Sequence, residues 1–448
     1  MDIAGRAFLG LTQKLRGSHS LRLLQQIRST PFASRDEILA GQLRRLSALL
    51  DVAEKHVPYY REMFRNLGIR SSNIRSLDDF ARLPMLTKDT LRTRLKDLVR
   101  EDLPKDKLIA GNSGGSTGVP VRFYRDLSVL DAQEAGTFRN LSQSGWKPGE
   151  MIAYFWGFDQ QLYDMKPWQF ELRQRLRRQY QFDSFHSGAP ELDRWLRKWK
   201  QIRPTVLFGY ASTIARFAVH LQQRGERVPP LRGIFTTAEK LYSAQREVIS
   251  AVFGCTVYDC YGSSEVMNIA SQCPHGRMHV NADFVVLEID QSQAKGGGPA
   301  PFVVTGLWNS VTPFIRYCNE DCGQLLEGDC DCGNRFPLMQ LSVSRISDNF
   351  TLPSGRVVHG EFFTHLMYGS EGISMFQFHQ TAPDSITLWI VPGPGNPGAR
   401  QTAIRKAIAE MEQLDGAGTM KVQVREVDAI PLTASGKHRF TRSDVRPR

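Results

Sequence analysis

With 448 residues, 41% of them hydrophobic and 23% charged, the chain has the composition of a globular protein of two or three domains. No apolar run approaches the ~20 residues that span a bilayer. The opening Met1-Asp-Ile-Ala-Gly-Arg lacks the basic n-region of a secretory signal, so the sequence predicts a cytoplasmic protein without a transmembrane segment.

In chain order, residues 1–100 read as mainly helical. Residues 1–28 form a weakly basic amphipathic stretch (Arg6, Lys14, Arg16, Arg22, Arg28) that reads as a helix packed on the body or as a weak peripheral membrane contact. Arg35 to Leu50 carries a helical apolar stripe, and Pro58 breaks it. From residue 107 short β-rich runs alternate with helices. The predicted strands are Val121–Tyr124, Met151–Trp156, Thr205–Phe208, Gly233–Thr236 and Thr256–Cys260; helices are expected at Ser212–Arg224 and Ser243–Phe253. That alternation predicts an α/β fold with parallel strands. Residues 280–345 switch to β-rich runs, with Gly296-Gly-Gly-Pro299 as a hairpin-like loop. The last hundred residues read as a small α+β domain, with strands near Ser374–His379, Ile386–Val391 and Val422–Val427 and a helix over Gly398–Leu414. The expected division is 1–346 and 347–448.

Charge and motifs narrow the chemistry. The 57 Lys and Arg exceed the 46 Asp and Glu by 11, which suits an anionic partner such as a nucleotide or coenzyme A; nucleic acid is not required. In Arg194–Lys200 the tryptophans Trp195 and Trp199 recur at helical spacing and are expected to face a core, leaving the cations as a solvated face. Ser113-Gly-Gly-Ser-Thr-Gly-Val-Pro120 suits a polyanion: Gly114, Gly115 and Gly118 free backbone N–H groups to turn inward, and Ser113, Ser116 and Thr117 add hydroxyl donors. It lacks the Walker lysine. Gly111-Asn-Ser113-Gly-Gly115 also matches the G-x-S-x-G elbow, but a predicted strand, not a helix, follows it. Pro431-Leu-Thr-Ala-Ser-Gly-Lys437 is a tight glycine turn presenting one lysine.

The seven cysteines are an odd number, which argues against a disulfide framework. Cys273, His279, Cys330 and Cys332 offer three thiolates and one imidazole in two short pairs, a donor set for a closed tetrahedral Zn²⁺; His275 is an alternative to His279, and ordinary buried cysteines are the other reading.

Taken together, these motifs resemble the adenylate-forming superfamily of acyl-CoA synthetases, and within it the phenylacetate–CoA ligase branch with its capsule and polysaccharide relatives. His56-Val-Pro-Tyr-Tyr60 and Leu83-Pro-Met-Leu-Thr-Lys88 are similar to that branch, and Ser113–Pro120 resembles its phosphate loop. Thr236-Thr-Ala238-Glu239 resembles the adenine-lining segment. Tyr261-Gly262-Ser263-Ser264-Glu265 resembles the aromatic-Gly-x-x-Glu motif. The resemblance implies that Tyr261 stacks on adenine and that Glu265 holds Mg²⁺. Pro313-Phe-Ile-Arg316-Tyr317 followed by Asp321 resembles the ribose-binding motif, Arg345 the start of the hinge, and Lys437 the catalytic lysine of a small mobile domain. Three positions depart from the pattern: Glu320 and Ser344 stand where glycine is usual, and His359 where proline is common. The implied reaction is ATP-dependent activation of a small carboxylic acid, with aromatic or apolar acids favoured, followed by transfer to a thiol. The thiol would be coenzyme A; an amine or hydroxyl acceptor is the alternative.

Overall fold

The computed structural model describes residues 5, 9–10, 12–14, 16–112, 122–157, 162, 164–184, 189–293, 299–342, 350–354, 357–358, 360–367, 370–393, 395–414, 420–432 and 438–445. The chain divides into two units, Met1–Asn319 with Gly323–Gln340, and Glu320–Cys322 with Leu341–Arg448. The expected 346/347 boundary lies outside the described residues, as do the 296–298 glycines, Ser344 and His359.

The first unit opens with helices. Ser34 starts Arg35–His56 with a reciprocal capping box to Glu37, and Pro58 sits at the first turn of the next helix, Pro58–Leu67, where a missing N–H costs nothing. In the 1–28 segment, Leu9, Leu24 and Ile27 are buried and the Gln13 amide donates to Glu134, so these residues pack on the body.

An antiparallel hairpin, β1 (Ile109–Asn112) and β2 (Arg122–Arg125), follows. The main sheet then begins with β3 (Ile152–Trp156), β4 (Gln179–Asp183), β5 (Val206–Tyr210), β6 (Gly233–Thr237) and β7 (Val257–Tyr261), all mutually parallel. Helices Ala189–Ile202, Ala211–Gln223 and Ser243–Phe253 cover one face. Trp195 and Trp199 are buried there against Phe155, at 4.8 and 6.0 Å between ring centroids. The charged segment around them thus reads as expected, with its indoles in the core. Gly209 is required, because a Cβ there would lie 2.5 Å from the Phe155 carbonyl oxygen.

The parallel strands expected from the alternation are β3 to β7. The β-rich stretch after residue 261 joins the same sheet: β8 (Ala270–Gln272), β9 (Met278–Val280), β10 (Val285–Ile289), β11 (Ala300–Gly306), β12 (Tyr317–Leu326) and β13 (Leu338–Leu341). The result is a mixed sheet of eleven strands in the order β10-β11-β12-β13-β9-β8-β7-β6-β5-β3-β4. Short hairpin connections force antiparallel pairing at β7–β8 and β8–β9, where no crossover helix is available.

The second unit is α+β. After a small pair, β14 (Phe350–Thr351) and β15 (Val357–Val358), come β16 (Ile373–Ala382), β17 (Ser385–Pro392), β18 (Lys421–Glu426) and β19 (Thr441–Ser443), which form a sheet in the order β18-β17-β16-β19. The helix Pro397–Glu412 buries Ile404, Ala407 and Met411 in the same cluster as Phe376, Phe378, Leu388 and Ile390.

Candidate functional site

Ligands of α/β sheets bind beyond the carboxyl ends of the parallel strands. Here β6 and β7 deliver two expected motifs side by side, with Thr236 paired to Asp259 and Thr237 to Cys260. Ala238 follows at φ +67°, a left-handed conformation that costs a non-glycine residue about 1 kcal/mol. Glu239, expected at the nucleotide, accepts a 2.9 Å hydrogen bond from the Ser212 N–H in the first turn of helix Ala211–Gln223. Its carboxylate therefore also serves that helix N-terminus.

The segment Tyr261–Glu265 is held from β12. The Asn319 amide donates to the Tyr261 hydroxyl at 2.7 Å, and the Tyr317 hydroxyl donates to the Glu265 carboxylate at 3.2 Å. Tyr261 and Glu265 are each 8% exposed, and the Tyr261 ring lies 6.0 Å from Phe302. The turn between them is closed by Ser263, whose hydroxyl accepts from the Val266 N–H at 3.0 Å and whose own N–H donates to the Val266 carbonyl at 2.9 Å.

The start of β12 is braced by the two N-terminal motifs, which the sequence offered only as signatures. The Tyr60 hydroxyl donates to the Pro313 carbonyl at 2.7 Å and accepts from the Ile315 N–H at 3.3 Å. The Leu86 N–H donates to the Arg316 carbonyl at 2.8 Å, and the Cys318 N–H returns a bond to the Leu86 carbonyl at 3.0 Å. The Arg316 guanidinium donates to the Ala81 and Leu83 carbonyls and pairs with Glu288 at 3.1 Å. Tyr317 and Asn319, two apart on one strand, thus reach Glu265 and Tyr261 from a fixed base.

Asp321 lies further along β12 and is half-buried. Before it, Glu320 has φ +68°, the left-handed region that favours glycine. The departure noted in the sequence therefore falls where glycine has a physical advantage. Ser113, Gly114, Gly115, Ser116, Thr117 and Gly118 lie outside the described residues, as do Arg345 and Lys437. The described flanks of that segment are β1 and β2, so the first described element after the G-x-S-x-G match is a strand, where a nucleophile elbow is followed by a helix. Just beyond Lys437, the buried His438 makes a 2.9 Å Nε2 contact to the Phe376 carbonyl and packs its ring 4.4 Å from Phe440.

Asp259 was missed by the sequence reading. Burial pushes its carboxyl up to about 6, against the 3.0 Å hydrogen bond from the Thr236 hydroxyl and the attraction of Arg246. A shifted acid two residues before Tyr261 is a functional candidate. The signal in sequence was one acid inside the otherwise uncharged strand Val257-Tyr-Asp-Cys-Tyr261.

The two cysteine pairs meet. The ligand atoms of Cys273, His279, Cys330 and Cys332 lie within 4.8 Å of one another. Cys273 Sγ is 3.7 Å from Cys330 Sγ, and Cys332 Sγ is 3.5 Å from His279 Nε2. Tetrahedral Zn²⁺ with bonds of ~2.3 Å to sulfur requires S···S edges of about 3.8 Å, which the Cys273–Cys330 approach already matches. The pairing of β13 with β9 sets Leu338 opposite His279 and returns the 330–332 turn to the β8–β9 hairpin. His279 is fully buried; a 3.2 Å Nδ1 contact to the Phe336 carbonyl fixes the tautomer that leaves Nε2 as a ligand. Burial holds its imidazole below the usual value and pushes the Cys332 thiol up to about 12, with Cys330 and Cys273 adding to the latter. Cys330 is held below the ordinary thiol range: burial raises it, but the Cys332 N–H and neighbouring donors outweigh that effect. His275 is exposed and outside the group.

Residues 350–444 match the CapK C-terminal domain family. Over 92% of this chain, and 90% of the other, the sequence is 23% identical to Protein CapK of Staphylococcus aureus. It is 26% identical to the phenylacetate–coenzyme A ligase of Aromatoleum evansii over 66% of this chain and 68% of that one. Among solved structures, 2-hydroxyisobutyryl-CoA ligase in its postadenylation state superposes with a TM-score of 0.72 at 20% identity, covering 93% of this chain and 91% of that one. The chain thus has the fold of 2-hydroxyisobutyryl-CoA ligase. In sequence it is similar to CapK over most of its length and to phenylacetate–coenzyme A ligases over about two thirds of it.

Proposed function

We propose that the chain activates a carboxylic acid with ATP and passes the acyl group to the thiol of coenzyme A. A carboxylate oxygen attacks the α-phosphorus, the bond to the bridging oxygen of pyrophosphate breaks, and acyl-adenylate forms. Thiolate attack on its carbonyl then releases AMP. The observation that carries this reading is the joint anchoring of Tyr261 and Glu265 by Asn319 and Tyr317, which ties the aromatic-Gly-x-x-Glu segment to the strand bearing Asp321.

In this reading Tyr261, Ala238 and Glu239 line the base, Asp321 takes the ribose hydroxyls, and Ser113–Gly118 with Thr117 cradle the phosphates. Arg345 opens the hinge. Glu265 holds Mg²⁺, which when bound supplies positive charge to the phosphate oxygens. Lys437 presents its ammonium to the α-phosphate from a C-terminal domain that moves between the two half-reactions. Cys273, His279, Cys330 and Cys332 hold a structural Zn²⁺. With four protein ligands that site is closed and takes no part in the chemistry. None of the seven cysteines, all among the described residues, is in a disulfide, which supports a reducing, cytoplasmic setting. No helix among the described residues is long and apolar enough to cross a membrane.

The acid would lie against Tyr154, Trp156, Phe208 and Tyr210, where Trp156 and Tyr210 approach to 4.5 Å and Tyr154 and Phe208 to 5.5 Å. This wall favours a flat or apolar acid. Transfer to an amine or hydroxyl is the second reading. The CapK relative aligns over 92% of the chain and the Aromatoleum ligase over 66%, so likeness to the thiol ligases is the less extensive.

The test is incubation with ATP, Mg²⁺ and a panel of acids, with and without coenzyme A. Acid-dependent release of pyrophosphate and AMP is expected; ADP and orthophosphate would overturn the mechanism. Lys437→Ala should lose adenylation by orders of magnitude yet retain thiolation of supplied acyl-adenylate. An equal loss in both half-reactions would remove Lys437 from its assigned role.

A further inference from the structure

Helix Pro167–Arg177 wears part of its apolar surface outward. Trp168 is 63% exposed and Leu172 49%, four residues apart and so on one helical face. Arg175, one turn on, is 74% exposed and stands 3.9 Å from Glu171. The helix is attached by other side chains. Phe170 packs on Tyr180 at 5.8 Å, Glu171 accepts from the Tyr180 hydroxyl at 2.8 Å, and Gln174 is the buried residue of the helix. Burying Trp168 and Leu172 is therefore not how this helix is held, and their exposure lacks a folding rationale.

The surroundings are cationic. Lys166, Arg173, Arg175, Arg177 and Arg178 crowd this segment, and its one acid, Glu171, is engaged by Lys198 at 2.6 Å. Arg177 is held down to about 10 by burial first and then by repulsion from Arg16 and Arg173, an independent sign of clustered positive charge. Lys198 also lies over the Tyr180 ring at 4.9 Å, which sets the neighbouring helix Ala189–Ile202 alongside. On that helix Arg194 and Arg197 are exposed, Arg194 paired with Glu191.

We propose that Trp168 and Leu172, framed by these arginines, form a docking face for an anionic lipid bilayer surface. The chemistry fits one occupant. An indole and a leucine side by side gain by entering the headgroup–acyl boundary, while guanidinium groups beside them meet lipid phosphates. A nucleic acid backbone would reward the cations but leave Leu172 in water. The face is small, so binding is reversible and depends on the density of negative charge.

The experiment is co-sedimentation of the full chain with vesicles of equal parts phosphatidylcholine and phosphatidylglycerol, and with pure phosphatidylcholine, at 0.1 M and 0.5 M salt. Binding is expected to the anionic vesicles alone and to weaken at high salt. Trp168→Ser with Leu172→Ser should weaken it roughly tenfold or more, and Arg175→Glu roughly fivefold or more. These exposed positions should leave the thermal midpoint unchanged, which separates lost docking from lost folding. Three results would overturn the proposal: no binding to anionic vesicles, binding that ignores the Trp168 and Leu172 changes, or duplex DNA binding that responds to them in place of vesicles. A dimer of the native chain that the double change dissolves, seen by light scattering, would reassign the face to a second copy.

Discussion

Replacing Asp259 by asparagine isolates the cost of a desolvated charge in the middle of β7. The folded carboxyl titrates at about 6, against 3.8 for the free side chain, with burial as the leading cause. A folded value above the unfolded one means that the native state holds a proton the unfolded chain has lost. Stability therefore falls as pH rises through the window between 3.8 and about 6 and stays reduced above it. The penalty integrates to roughly 1–2 kcal/mol at pH 5 and about 3 kcal/mol at pH 8. Asparagine mimics the protonated form and can still accept the hydrogen bond from the Thr236 hydroxyl. Asp259→Asn should thus be the more stable protein, by a margin that widens by about 1 kcal/mol between pH 5 and pH 8. Urea titrations of both proteins, followed by tryptophan fluorescence at the two pH values, measure that difference. An equal margin at both pH values, or a variant less stable at each, would refute the account of a desolvated Asp259 carboxylate.

Three further outcomes are expected. Protein purified without chelator should carry about one zinc per chain; His279→Ala should lose it and lower stability by several kcal/mol, and elemental analysis paired with thermal melting decides this. Asn319→Ala removes the donor that holds the Tyr261 hydroxyl, worth about 1 kcal/mol, so the KM for ATP in pyrophosphate exchange should rise several-fold; an unchanged KM would make the bond purely structural. Glu320→Gly should relieve about 1 kcal/mol of left-handed strain and hold or raise the melting temperature, while the β-branched Glu320→Val should lower it; the opposite order would show that the Glu320 side chain outweighs its backbone strain.

What the sequence by itself determined is local. Helical spacing placed Trp195 and Trp199 inward, and they are. The helix Ser243–Phe253 has the predicted ends, because an apolar stripe and the Gly254 at φ +62° bound it without help from distant residues. Cysteine and histidine spacing named the donor set, since short pairs of soft ligands are a local pattern. Tertiary structure decided the rest. Cys273 and Cys330 are 57 residues apart and meet because β13 inserts beside β9, a pairing that alternation of residues does not specify. The antiparallel half of the sheet has the same cause: β-rich composition marks strands but not the direction in which they pair. The roles of Tyr60, Leu86, Tyr317 and Asn319 as the brace behind Tyr261 and Glu265 exist only once β12 is in place. Asp259 stands out in the sequence only as the one acid of its strand; its shifted titration is not written there, because desolvation is set by what the folded chain packs around a carboxyl.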